Sequence, residues 1–210
     1  YHAVEPSPAA DVFERMMENA PRNVRPTVHR TTAEAFDYPE TYDLVLCANV
    51  LSELDDPVAV GRRCLDALAP DGTFVAIAPA DRATSTGLRE VERELAPVGG
   101  DVAVYGPTLR LWPDAAPADD CWSFDAGRDL AVPAFQRKLD DAAGGDGEFV
   151  NVDVQYSHTV VRADGRRRLG VEGDPDRFAR MADAEDYVTE RVDLLGVKLS
   201  ADLADGGNPL

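Results

Sequence analysis

Lysine is nearly missing from this sequence: Lys138 and Lys198 are the only two in 210 residues, and arginine supplies the rest of the positive charge. Cysteine is scarce as well. Cys47, Cys64 and Cys121 are too few and too scattered for a disulfide framework, and without a Cys-x-x-Cys pair they do not make a zinc site, so no metal is expected. A reducing cytoplasm is the default compartment for such a chain. No apolar run approaches the ~20 residues that a membrane span needs, and no charged-then-apolar leader opens the sequence, so no membrane partner is expected. The chain begins at Tyr1, without a methionine and inside what reads as a strand. It is expected to be a piece of a longer protein, with any leader lying upstream.

What is abundant is acid. The 39 Asp and Glu residues against 21 Lys and Arg give a formal net charge of -18, and such a surface repels phosphate backbones in ordinary buffer. Excess aspartate with little lysine, spread evenly instead of gathered in a tail, is the pattern of a protein adapted to molar salt. At ~1 M salt the Debye length is only about 3 Å, so the net charge decides little about partners. With 210 residues and 44% hydrophobic content the chain can bury a core, and it fits one domain of ordinary size with an appendage.

The most informative stretch is Tyr42-Asp43-Leu44-Val45-Leu46-Cys47-Ala48-Asn49-Val50-Leu51-Ser52-Glu53-Leu54. It opens as an apolar run of the length expected of a strand buried on both faces, then turns polar and changes period at Asn49. In open parallel α/β sheets ligands bind beyond the carboxyl ends of the strands, because loops and helix N-termini converge there. Asn49, Ser52 and Glu53 are therefore candidates. A turn-capping Asn49 and a solvated helix-start Glu53 are the plainer alternatives.

The rest of the chain alternates strands and helices. Residues 1–5 form a short strand ending in Glu5; Ala9 to Asn19 has helical spacing with Ser7 as its cap; Arg25 to His29 is a second strand, followed by a polar loop, Thr31 to Phe36. Pro57 opens a helix that runs from Val58 to Leu68, Thr73 to Ala80 is a buried strand, and Leu88 to Leu95 is another helix. This βαβαβ order implies right-handed crossovers and a parallel sheet. Pro97 to Asp120 reads as a long loop, Cys121 to Phe124 as a short strand, Pro133 to Ala143 as a helix and Glu148 to Val161 as a long strand. Arg166-Arg167-Arg168 reads as a solvated strand end, with a phosphate contact as the alternative. From Tyr187 to Leu203 a loose alternation suggests a strand, with an amphipathic helix as the rival reading. The expected fold class is thus α/β: a Rossmann-like, mainly parallel sheet over residues 1–165, closed by a C-terminal antiparallel strand pair. A linker follows at 166–182, and 183–210 begins a small β-rich module.

Taken together, Glu5 at a strand end, Ala33-Glu34-Ala35-Phe36, Tyr42-Asp43-Leu44-Val45 running into Asn49 to Leu54, and Leu68-Ala69-Pro70-Asp71-Gly72-Thr73-Phe74 resemble the class I S-adenosylmethionine-dependent methyltransferases over roughly residues 1–165. Within that class, Val50 to Leu54, Cys121-Trp122-Ser123-Phe124 and the strand from Phe149 to Val161 resemble the methyltransferase-like proteins of small-ribosomal-subunit assembly. The resemblance implies S-adenosylmethionine as cofactor and the small ribosomal subunit or its rRNA as partner. The alternatives are a catalytically silent assembly or RNA-docking factor and a small-molecule methyltransferase, the last favoured if the 97–120 loop lids a closed apolar pocket.

A strand-end carboxylate can accept from both ribose hydroxyls, so Glu5 is the first cofactor-binding candidate, an ordinary strand-end acid being its alternative. The resemblance sets Glu34 and Ala35 against the adenine, through a side-chain oxygen and a backbone N–H, and Asn49 near the methyl group. Transfer from a sulfonium needs mainly alignment, so no catalytic base is named. Two departures accompany the resemblance. The family's first strand and glycine-rich loop are expected upstream of Tyr1. The ribosomal family's cysteine set is represented only by Cys121, and one thiolate does not hold an iron–sulfur cluster.

Overall fold

Proline and aspartate set the boundaries of the elements in the computed structural model, which describes residues 1–108, 110, 116, 124–125, 131–150 and 154–168. Strand β1 (His2–Val4) stops before Pro6, and the Ser7 hydroxyl accepts the Ala9 amide at 3.1 Å where helix α1 (Ala9–Met17) begins. Strand β2 (Thr27–His29) and strand β3 (Tyr42–Ala48) follow, then a 3-10 turn at Leu51–Glu53. Helix α2 (Pro57–Asp66) has Asp56 as its cap, accepting the Ala59 amide at 2.9 Å, and proline in its first turn, where a missing N–H is harmless. After β4 (Leu68–Pro79), the Asp81 carboxylate caps α3 (Arg82–Leu95) in the same way, accepting the Thr84 amide at 2.9 Å. The remaining elements are β5 (Ala103–Gly106), β6 (Phe124–Asp125), α4 (Ala134–Ala143) and β7 (Gln155–Arg162).

The expected Rossmann-like α/β architecture is present. β1 and β2 pair in parallel as a two-stranded ribbon. The other sheet has five strands in the order β3-β4-β7-β5, with β6 also on β7. β3 and β4 are parallel, whereas β4, β5 and β6 all run antiparallel to β7. Among the described strands of this sheet, β7 is therefore the one that is reversed. Between Tyr42 and Leu44 the β3–β4 register jumps on the partner strand from Leu68 to Thr73, so Ala69 to Gly72 bulge out of the ladder. A Cβ on Gly72 would lie 2.9 Å from the Ala69 carbonyl oxygen and 3.0 Å from that of Tyr42, which is why this bulge takes glycine.

One face of the sheet carries the core. Cys47, Phe74, Ala76, Ala78 and Val161 pack against Val60 and Cys64 of α2 and Leu88, Val91 and Leu95 of α3. Burying each such side chain contributes about 1.5–3 kcal/mol. Gly61 lets the two helices meet, since a Cβ there would lie 2.7 Å from a Leu95 methyl carbon. The opposite face of β3 is open: Leu44 is 57% and Leu46 53% exposed. The expectation that this strand is buried on both faces is thus corrected. β3 pairs with β4 alone, and among the described residues no helix covers Leu44 and Leu46.

Other differences have local causes. α2 ends at Asp66 and Leu68 already belongs to β4, whose bulge includes the Pro70-Asp71-Gly72 turn. α3 begins at Arg82, earlier than its apolar periodicity suggests, because the Asp81 cap nucleates a first turn that packs little. The expected loop after Pro97 contains β5, a four-residue strand whose apolar residues are too few to signal one. β7 starts at Gln155 and not near Glu148. Cys121 to Ser123, the linker beyond Arg168 and the 183–210 module lie outside the described residues.

Candidate binding site at the carboxyl ends of the strands

Glu5 follows β1, and its amide donates to the His29 carbonyl at 3.0 Å, which continues the β1–β2 ladder by one bond. Its Oε1 accepts the Ser7 amide at 2.8 Å. These hydrogen bonds from Ser7 hold the Glu5 carboxyl below the usual carboxylate range, so the group is ionised at neutral pH. An ionised acceptor fixed by its own turn is what two vicinal hydroxyls require.

Asn49 follows β3. Its φ is 56°, the one positive value at a non-glycine among the described residues. Asparagine tolerates this left-handed conformation better than most side chains, and residues held there concentrate at functional sites. The Asn49 amide donates to Ile77 of β4 at 2.8 Å, which pins the turn to the sheet while the residue itself stays exposed. Ser52 and Glu53 are exposed on the 3-10 turn that follows, and Leu51 beside them is buried in the core. Beyond this turn a cavity of about 800 Å³ opens between α2 and α3. Leu54, Val58 and Leu88 form part of its apolar lining, and Ser52, Thr84 and Glu90 its polar part.

The loop after β2 carries Glu34 and Ala35, both exposed. The Ala35 amide is shared between the Thr32 carbonyl at 3.2 Å and the Thr32 hydroxyl at 3.3 Å, so an adenine nitrogen would compete with Thr32 for it. From α2, the Arg63 guanidinium donates to the backbone carbonyls of Glu34 and Phe36.

Beneath this loop lies a closed circuit of five rings that the sequence reading missed. His2 and His29 have ring centroids 5.0 Å apart, His29 and Phe36 4.7 Å, Phe36 and Tyr38 4.9 Å, Tyr38 and Tyr42 6.1 Å, and Tyr42 and His2 5.4 Å. His2 Nδ1 and His29 Nε2 are 2.9 Å apart, and His2 Nε2 lies 2.7 Å from Glu40 Oε1. The circuit joins the β1–β2 ribbon to β3, and so fixes Glu5 relative to Asn49. Its one legible signal is the alternation of Phe36, Tyr38 and Glu40 before Tyr42. Cys47 and Cys64 lie behind it, with Tyr38 Oη 3.0 Å from Cys64 Sγ. The Cys47 side chain, against the opposing effect of burial and with help from Tyr38 and the charge of Arg63, holds the Cys64 thiol below its ordinary range.

Glu5, Glu34, Ala35 and Asn49 thus each lie on a segment that follows a parallel strand. A family model described as a methyltransferase domain matches residues 1–74. The match runs from β1 into β4 and includes all four of these residues. No curated protein matches the chain. Among solved structures, the chain is similar to a putative methyltransferase from Thermoplasma acidophilum, at 11% identity and a TM-score of 0.44, covering 82% of this chain and 59% of that one. It is also similar to the plantazolicin methyltransferase BpumL in complex with SAH, at 10% identity and a TM-score of 0.45, covering 79% and 66% of the two chains. A third is the N-methyltransferase NodS from Bradyrhizobium japonicum WM9 in complex with S-adenosyl-L-homocysteine, at 15% identity and a TM-score of 0.44, covering 77% and 65%. The chain therefore spans less than two thirds of the length of each of these three structures.

Proposed function

We propose that this chain is the S-adenosylmethionine-binding part of a methyltransferase. The observation that carries the reading is the coincidence of the methyltransferase-domain match over residues 1–74 with an ionised Glu5 at the end of β1 and a left-handed Asn49 at the end of β3. Glu5 would accept the ribose hydroxyls, the Glu34–Ala35 loop would meet the adenine, and Asn49 would border the sulfonium. When bound, the cofactor supplies an activated methyl group on sulfur. This chain's residues then contribute orientation and exclusion of water, and no side chain has to remove a proton before transfer to an already good nucleophile. Calorimetric titration of the full-length protein with S-adenosylhomocysteine at high salt tests the reading, and no measurable binding would overturn it.

For the acceptor we propose the small ribosomal subunit or its rRNA, on the resemblance carried by Val50 to Leu54, Cys121 to Phe124 and Phe149 to Val161. The exposed Arg166 and Arg168 offer the described chain a basic contact in an otherwise acidic surface. A catalytically silent docking factor is the rival of another class. Incubation with immature small subunits and labelled cofactor separates the two: a methylated base supports the enzyme, and stable association without transfer supports the docking factor. A small-molecule methyltransferase is the remaining reading: the cavity between α2 and α3 offers it room, but no described residue of the 97–120 loop lines that cavity. Label appearing only on small molecules would establish that reading.

A further inference from the structure

Arg63 makes a contact that its place on a helix would not suggest. From the last turn of α2 its two terminal nitrogens donate to the backbone carbonyls of Glu34 and Phe36. Its guanidinium carbon also lies 5.8 Å from the centre of the Tyr38 ring, and Nη2 is 4.0 Å from Asp37. One side chain therefore touches four residues of a single loop. Two of these contacts are charge-assisted hydrogen bonds, both donated from one rigid planar fork. The consequence for the loop is directional. With the Glu34 and Phe36 carbonyls turned toward α2, the intervening Ala35 peptide has little freedom to rotate.

We infer that Arg63 is a positioning residue for nucleobase recognition: it fixes the Glu34–Ala35 loop in the orientation that distinguishes adenine from other purines. The inference rests on the proposed function, in which this loop meets the adenine. Arg63 itself does not touch the base. Lysine in its place keeps the charge but presents a single nitrogen, and so holds one carbonyl at a time.

The test uses the full-length protein as wild type, Arg63→Lys and Arg63→Met, titrated with S-adenosylhomocysteine and with its hypoxanthine counterpart, in which an oxo group replaces the 6-amino group. Wild type is expected to prefer the adenine ligand. Arg63→Met is expected to lose about tenfold in affinity for it and most of the preference, with Arg63→Lys in between. Hydrogen exchange over residues 34–38 without ligand is expected to quicken in the same order, which reads the loop directly. Where Arg63→Met does not fold, the Arg63→Lys comparison decides. Equal weakening of both ligands, or unchanged affinity and preference, would overturn the inference and leave the proposed function standing. Failure of wild type to bind either ligand would instead remove the proposed function, and this inference with it.

Discussion

At the scale of single residues, two side chains lend themselves to measurement. Glu5 is an ionised carboxylate at a strand end, and hydrogen bonds to a charged acceptor are stronger than those between neutral groups. Glu5→Ala in the full-length protein is therefore expected to weaken S-adenosylhomocysteine binding by more than tenfold, and an unchanged calorimetric affinity at high salt would remove Glu5 from the site. His158 concerns stability instead. Its Nδ1 is buried without a hydrogen-bond partner among the described residues, and burial first, then the charges of Arg89 and Arg168, lower its pKa to about 4. In the unfolded chain a histidine titrates near 6.5, so between about 6.5 and about 4 the unfolded state holds more protons than the folded one. Stability from this group is complete above pH ~6.5 and drains away as pH falls toward 4. Allowing for partial exposure, the loss is on the order of 2 kcal/mol. Urea midpoints of wild type and His158→Leu across this range check it: the variant is expected to show the shallower decline, and parallel curves would contradict the assignment.

At the scale of elements, α3 is held to β7 by polar contacts inside an apolar setting. Arg89 and Glu92 are 1% and 2% exposed, with Arg89 Nη1 donating to Glu92 Oε2 at 2.6 Å. Arg89 also donates to the His158 carbonyl, Thr159 donates to Glu92 at 2.5 Å, and Thr108 donates to its other oxygen. Burial lowers the pKa of Arg89, opposed by the Glu92 charge. Removing one partner of such a pair leaves a buried charge uncompensated and costs about 3–5 kcal/mol, whereas apolar replacement of both is often close to neutral. Glu92→Leu alone is expected to be strongly destabilising, and Arg89→Met with Glu92→Leu to be milder than the sum of the singles; additive denaturation midpoints would show that the pair is not coupled. Nothing in the sequence announced this pair, because Arg89 and Glu92 read locally as the solvated side of an amphipathic helix. The βαβ order, the α2 proline start and the Glu5 and Asn49 turns were legible, since each depends on local chemistry within a few residues. β5, the contacts that close the aromatic circuit through His2, and the Arg63 fork join residues 27 to 40 or more positions apart along the chain, and no periodicity carries those contacts.

For the whole molecule the governing quantity is the net charge of -18. Surface ion pairs oppose the repulsion: Arg30 Nη2 lies 2.6 Å from Asp11 and 3.0 Å from Glu14, Arg62 lies 3.3 Å from Glu94, and Arg162 lies 2.5 Å from Asp164. Salt weakens both the attraction and the repulsion, so the sign of its effect depends on which of them dominates. Exposed pairs contribute about 0–1 kcal/mol each, and with 39 acidic against 21 basic residues, pairing every basic residue with one carboxylate would still leave 18 carboxylates over. Repulsion dominates, and the melting temperature is expected to rise from low to molar potassium chloride. The shape of the rise identifies its cause. The Debye length falls from about 10 Å at 0.1 M to about 3 Å at 1 M, so screening acts mostly below a few tenths molar and then levels off. A continued rise beyond that would reflect strengthened apolar burial, which sulfate should produce more strongly than chloride. A melting temperature that is flat or falls over the whole range would mean that ion pairing outweighs repulsion, and would end the reading of this surface as adapted to molar salt.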